Sequence, residues 1–218
     1  MSKTYDIVSI QTGKSAPLRN SPQKSAIAKT PRSGPVRVSF LGLEGDEQAD
    51  KVHHGGPEMA LHLYPADHYP FWREELADHP LLAEYGAFGE NISSLGLTED
   101  VACIGDRYRL GSALVEISMG RQPCWKLERH FEYSKIPKVV VKQGIPGWYF
   151  RVIEEGEVAA GDTLDLLDRP EPQWSVARTF GLLFGGGHRT AAEALEPLSG
   201  LELLAPQWRA RAAELAAA

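Results

Sequence analysis

Apolar residues recur along this chain in short runs, many alternating with polar ones and separated by glycine and proline. That pattern predicts strands for most of the body. Residues 5–10 read as a first strand, and residues 11–23, rich in proline, glycine and serine, as a loop. Short strands are expected over 25–29 and 36–40, around Pro31, Ser33 and Gly34, and another over 60–64. From Pro65 a helix is expected through Leu76, with Asp67 in its first turn and Phe71, Trp72 and Leu76 on its buried stripe. Pro70 conflicts with that helix, because a proline beyond the first turn loses a hydrogen bond and clashes, so a kink or a late start is predicted.

Residues 106–110 and 114–118 predict a hairpin turning at Gly111-Ser112, with glycine first. Residues 134–143 read as a helix capped by Ser134 and ended by Gly144, although Val139-Val140-Val141 makes a strand a real competitor. Residues 147–153 form a strand with Arg151 inside it, and residues 163–167 a last strand after turns at Gly156 and Gly161-Asp162. Arg169-Pro170-Glu171-Pro172 then reads as a linker, and the composition changes after it. Residues 175–184 predict a helix stopped by glycines. The capping box Thr190-Ala191-Ala192-Glu193 opens a second, and 206–217 makes a third with Trp208, Ala212 and Leu215 on one face. The expected architecture is a mainly β body, barrel or sandwich, over residues 1–168, followed by a three-helix unit over 174–218.

Composition narrows the functional classes. At 218 residues there is ample chain for a core, and 21 glycines and 15 prolines suit many turns. The formal net charge of -6 and the lack of a basic run argue against a nucleic-acid partner. No segment is apolar and long enough for a signal peptide or a membrane span, so no membrane partner is expected. With no sign of secretion, Cys103 and Cys124 read as reduced thiols in a cytoplasmic protein.

Cys124 carries the strongest chemical signal. The strand over 114–118 breaks at Gly120 and Pro123, and the cysteine follows that break between Arg121 and Lys126. Cationic neighbours favour the thiolate, the form that attacks or binds metal, whereas a small buried hydrophobe is the ordinary role of an isolated cysteine. Cys103, among Val101, Ala102 and Ile104, is taken as structural. The loop 42–57 holds closely spaced acids, His53 and His54, and the pair Gly55-Gly56, whose backbone amides could approach a ligand closely. It reads either as that or as a capped surface loop, and as a zinc site it is weak. Arg151 needs a partner within its apolar strand, either a carboxylate or a bound anion. Lys14 and Arg19 are solvated charges or anion contacts.

Gly45-Asp46-Glu47-Gln48-Ala49-Asp50, His54-Gly55-Gly56-Pro57, Phe88-Gly89-Glu90-Asn91, Arg121-Gln122-Pro123-Cys124-Trp125-Lys126-Leu127 and Gly147-Trp148-Tyr149 resemble, in this order, the motifs of MOSC-domain proteins. MOSC denotes the C-terminal domain of molybdenum-cofactor sulfurases. The helical tail resembles that of stand-alone bacterial YiiM-like members. Met119-Gly120 departs from the pattern, standing where a Gln-Pro pair is expected. The resemblance implies a mixed-strand β-barrel that binds the pyranopterin molybdenum cofactor (molybdopterin), with Cys124 as the protein's sulfur ligand to molybdenum. It also implies an oxidoreductase that reduces N-hydroxylated compounds such as hydroxylaminopurine, detoxifying base analogues with electrons from a redox-protein donor.

The residues are compatible with that chemistry. A soft thiolate suits molybdenum held by a dithiolene. A terminal phosphate calls for cations and backbone amides, for which Arg121, Arg151, Lys14 and the His54-Gly55-Gly56 turn are candidates. Asp46, His54, Glu90 and Asn91 are polar enough to orient a substrate or move a proton. Two other classes stay open: a cofactor or sulfur carrier in which Cys124 holds a persulfide or docks the cofactor, and a non-redox binding module with a structural cysteine.

Overall fold

The computed structural model describes residues 3–49 and 55–218. In chain order the strands before the first helix are β1 (Thr4–Thr12), β2 (Ala16–Pro17), β3 (Lys24–Ser25), β4 (Thr30–Pro31), β5 (Val36–Ser39), β6 (Gly42–Leu43) and β7 (Leu61–Pro65). Helix α1 (Tyr69–Glu75) precedes β8 (Ile92–Ser94), β9 (Arg107–Leu110) and β10 (Ala113–Gly120). After α2 (Trp125–His130) and α3 (Ile136–Gln143) come β11 (Trp148–Glu154), β12 (Gly156–Val158) and β13 (Thr163–Asp168). The tail adds α4 (Val176–Leu183), α5 (Leu195–Ser199) and α6 (Pro206–Ala216).

Hydrogen bonding runs β13-β9-β10-β11-β7-β8-β1 and closes through a further β13–β1 pairing. The result is a closed mixed barrel, antiparallel except where β7 and β8 run parallel. Closure leaves no free edge on the ring. The alternation read in the sequence is what closure requires: in β9 and β10, Tyr108, Leu110, Val115 and Ile117 are all fully buried. The hairpin turns at Gly111, whose φ of 55° lies in the left-handed region.

Local departures from expectation have local causes. Pro70 sits in the first turn of α1, because a 3-10 turn over Ala66–His68 precedes the α-helix and delays its start. Of the expected strand 25–29 only Ser25 pairs in a sheet, as the end of β3 against Ala16–Pro17. The valine run is helical: Ile136 and Val140, one turn apart, are the buried face of α3, and Gly144 ends it at φ 67°. Ser134 does not cap that helix, which begins after Lys135 with a proline in its first turn. The expected capping box does not form either, since the Thr190 hydroxyl donates to the Gly187 carbonyl instead.

The helical tail shares the barrel's core. One apolar cluster runs from Ile7 in β1 to Ala212 in α6. Ser175 caps α4 through the Arg178 amide, and Cys103 bridges to Ser175 as an isolated β-pair. Trp208 is buried against Phe184 and Phe180, with ring centroids 5.1 and 6.4 Å away.

Burial also sets an acid limit on this fold. It drives His62 well below the ordinary imidazole range, with Arg121 adding to the effect, and it pushes His130 down to about 4. Below about pH 6.5 the unfolded chain takes up protons that these folded-state imidazoles refuse, so stability must fall as pH drops. The expected slope for His130 is about 1.4 kcal/mol per pH unit between roughly 6.5 and 4. Denaturant titrations at pH 7 and 4.5 should show a smaller acid loss for His130→Gln than for the wild type, and an equal loss would remove His130 as a cause.

Candidate functional site

The site grows from the end of the β10–β11 ladder. Gly120 pairs with Trp148, and the next amide, Arg121 N–H, donates to the Gly147 carbonyl at 3.0 Å. Gly147 lies at φ +68°, and a Cβ there would come within 2.5 Å of the Leu63 carbonyl oxygen, so only glycine fits. Its own N–H donates to buried Glu99 at 2.7 Å, and Glu99 also holds His68 at 2.7 Å. The chain then leaves the sheet through Gln122 and Pro123, and Cys124 stands extended (φ -115°, ψ 148°) immediately before α2. Cys124 is partly exposed and Cys103 buried, and neither is in a disulfide.

Cys124 lines two cavities at once. The first, about 100 Å³, is polar and lined by Lys29, Asp46, Asn91, Arg121 and Lys126 among others. Lys29 Nζ donates to both Asp46 oxygens at 2.6 Å, with both side chains more than nine-tenths buried. Asp46 also accepts from Gly13 N–H at 2.7 Å and Asn91 Nδ2 at 2.8 Å. Burial pulls the Lys29 ammonium below its usual value, and Asp46 pulls it partly back. The floor is aromatic: the neutral His62 ring lies 5.2 Å from Tyr149, whose hydroxyl burial pushes up against the opposing pull of Arg121. The second cavity, about 940 Å³, is lined by Met59, Met119, Trp125, Tyr149, Phe184 and residues of α6.

Cys124, Asp46, Asn91 and Arg121 are thus brought together, and Gly55 lies at the edge of the larger cavity. His54 lies outside the described residues. Gly56, at φ 94°, opens a 3-10 turn instead of facing the polar cavity. Three candidates line neither cavity. Arg151 is clamped by Glu58 and Glu116 and donates to the Leu203 carbonyl at 3.0 Å, so its partner is carboxylate and backbone. Lys14 is 69% exposed and lines neither cavity itself, and it pairs at 3.2 Å with Glu47, which stands in the first cavity's lining. Glu90, fully buried, accepts from the Gly86 and Phe88 amides, the Tyr69 hydroxyl and Ser93, which makes it the organiser of its own turn. Sequence reading missed Lys29, His62, Tyr149 and the α6 wall. Lys29 carried a signal as a cation directly following the apolar run Ala26-Ile27-Ala28, and Tyr149 as the end of the motif Gly147-Trp148-Tyr149.

A closed barrel with a cysteine leaving its rim beside buried cations defines the class to which the comparisons point. The model of the MOSC domain matches residues 50–165, and the chain belongs to the MOSC family. Within it the chain is YiiM-like. A structure of YiiM from Geobacillus stearothermophilus superposes with a TM-score of 0.81 at 33% identity, covering 97% of this chain and 99% of that one. The Bacillus subtilis protein YflK is 40% identical, over 94% of this chain and 92% of its own length. A Gibberella moniliformis protein named "Reductase" is 44% identical over 70% of this chain, a match that spans 27% of that protein. No helix among the described residues is long and apolar enough to cross a membrane.

The clamp on Arg151 predicts a stability phenotype. Arg151→Ala leaves Glu116, 3% exposed on its side chain, short of one of its cations. Breaking a buried pair costs about 3–5 kcal/mol, reduced here because Arg107 also reaches Glu116 at 2.7 Å. The melting temperature should fall by several degrees, and a variant that melts like the wild type would refute the structural role.

Proposed function

We propose that this protein is a molybdenum-cofactor-dependent reductase of N-hydroxylated compounds. The observation that carries the reading is Cys124 at the junction of a polar cavity with buried cations and a large aromatic one. MOSC domains are associated with this cofactor, and a relative carries the name "Reductase".

The donor set fits the group. Among the described residues no three His, Cys, Asp or Glu side chains gather to hold a metal. Protein ligation would therefore come from the single soft donor Cys124, which suits a metal already held by an organic dithiolene. Arg121, Lys126 and Lys29 line the polar cavity and would hold an anionic terminus. Asp46 and Asn91 would act by fixing Lys29 and the cavity wall, not by touching the reacting atoms. When bound, the cofactor supplies two-electron redox chemistry. Reducing an N–OH group to N–H consumes two electrons and two protons and releases water. The electrons come from a redox-protein donor.

Two measurements test the proposal on protein from a host that makes the cofactor. Cys124→Ser replaces a soft ligand by a hard hydroxyl and should abolish reduction of N-hydroxylated substrate, with melting temperature nearly unchanged. Lys29→Met should cost cofactor retention, read as molybdenum per protein, by an order of magnitude or more. Wild-type protein that carries molybdenum without turnover would instead support a cofactor carrier.

Cysteine reactivity gives an independent check without cofactor. Cys103 is 3% exposed, and burial raises its thiol pKa, with Asp106 adding to the effect. Alkylation near pH 7.5 should label Cys124 well before Cys103, and bound cofactor should protect Cys124. Labelling of Cys103 first would overturn the assignment.

A further inference from the structure

We infer that the first two turns of α6 are the specificity wall of this site, deciding which substrates reach Cys124. Gln207 and Arg211 would read the part of the substrate remote from its N–O bond. This rests on the reading of Cys124 as the ligand that would hold the reacting group.

Three observations carry the inference. The larger cavity is lined by Cys124 and by Gln207, Trp208, Arg211 and Glu214 of α6, so a molecule that fills it at the thiol meets α6. The wall is fixed to the barrel: Ala205 N–H donates to the Ser118 carbonyl at 2.9 Å, and clamped Arg151 holds the Leu203 carbonyl. Trp208 lies directly on Gly120, where a Cβ would come within 2.6 Å of the indole. The departure at Met119-Gly120 thereby finds its reason, since Gly120 makes the seat for Trp208 and Met119 accepts from Gln207.

The polar groups on this wall are held weakly enough to exchange partners. Gln207 Nε2 donates to the Met119 thioether at 3.2 Å, a poor acceptor. Arg211 pairs with Glu214 at 3.4 Å, with both side chains exposed, and such pairs are cheap to rearrange. Both offer donors, and Trp125, 41% exposed, offers a ring face. The wall therefore favours a flat ring carrying hydrogen-bond acceptors on the edge away from the reacting nitrogen.

The test compares an N-hydroxylated purine with acetohydroxamic acid, which has no ring. Gln207→Ala and Arg211→Ala should each lower the ratio of kcat/KM, purine over acetohydroxamic acid, by about tenfold. An unchanged ratio in both variants overturns the inference. A second arm needs no turnover. In cofactor-free protein, Gln207→Trp, which fills the cavity from an exposed helix position, should slow labelling of Cys124 by N-phenylmaleimide at least fivefold relative to iodoacetamide. Equal slowing of both reagents, or of neither, also overturns it. If neither substrate is reduced by the wild type, the proposed reaction fails, while the reagent ratio still decides whether α6 controls access to Cys124.

Discussion

The β10–β11 ladder is the constraint on which the rest depends. It fixes Gly120 opposite Trp148 at the rim, with Arg121 still tied to Gly147. Register shifts at Leu114/Val115 and Ile117/Met119 bend the pair, a local twist of the kind bulges give to strands at barrel rims. Between those last two positions Ser118 is fully buried, with its hydroxyl 2.6 Å from the Glu58 carbonyl and 3.1 Å from that of Tyr149. Rim, loop and the segment before β7 are thereby locked together. A cysteine leaving such a rim is held by the barrel and still reaches both cavities.

Buried charge is organised by the same principle on both sides of the ladder. Lys29 and Asp46 sit on the cavity side, where Asp46 also takes Gly13 and Asn91 donors. Arg151, Glu58, Glu116 and Arg107 form a chain on the other side. Removing one partner from either group strands a charge in a low-dielectric setting, which costs more than the intact pair contributes. The first group lines the smaller cavity, while the second reaches the larger one through Glu58 and ties α6's approach to the barrel through Leu203.

Much of the body was legible in the chain. Periodicity found the hairpin and β11 because burial on one face demands alternation, and Gly111 marked its turn. Pro123 pointed to Cys124, since a ladder cannot continue through a proline, although β10 runs on through Gly120 instead of breaking there. Caps were less legible. Ser134 and Thr190 have the right side chains, but cap residues act only where the backbone places them, and α3 starts later while Thr190 bonds back to Gly187.

The sequence by itself determined most of the element types, the mainly β class and the helical tail, and it marked Cys124 as a candidate. These depend on local steric preference and on which positions alternate, both written along the chain. Only the tertiary structure decided who partners whom. It assigned Arg151 to carboxylates and Lys29 to Asp46, turned Glu90 inward on its own loop, and laid Trp208 over Gly120. The ion pairs among those choices join residues 17 positions apart for Lys29–Asp46 and 93 apart for Arg151–Glu58. Ion pairs and side-chain contacts over such separations follow from barrel closure and tail packing, which no local pattern of apolar and polar residues encodes.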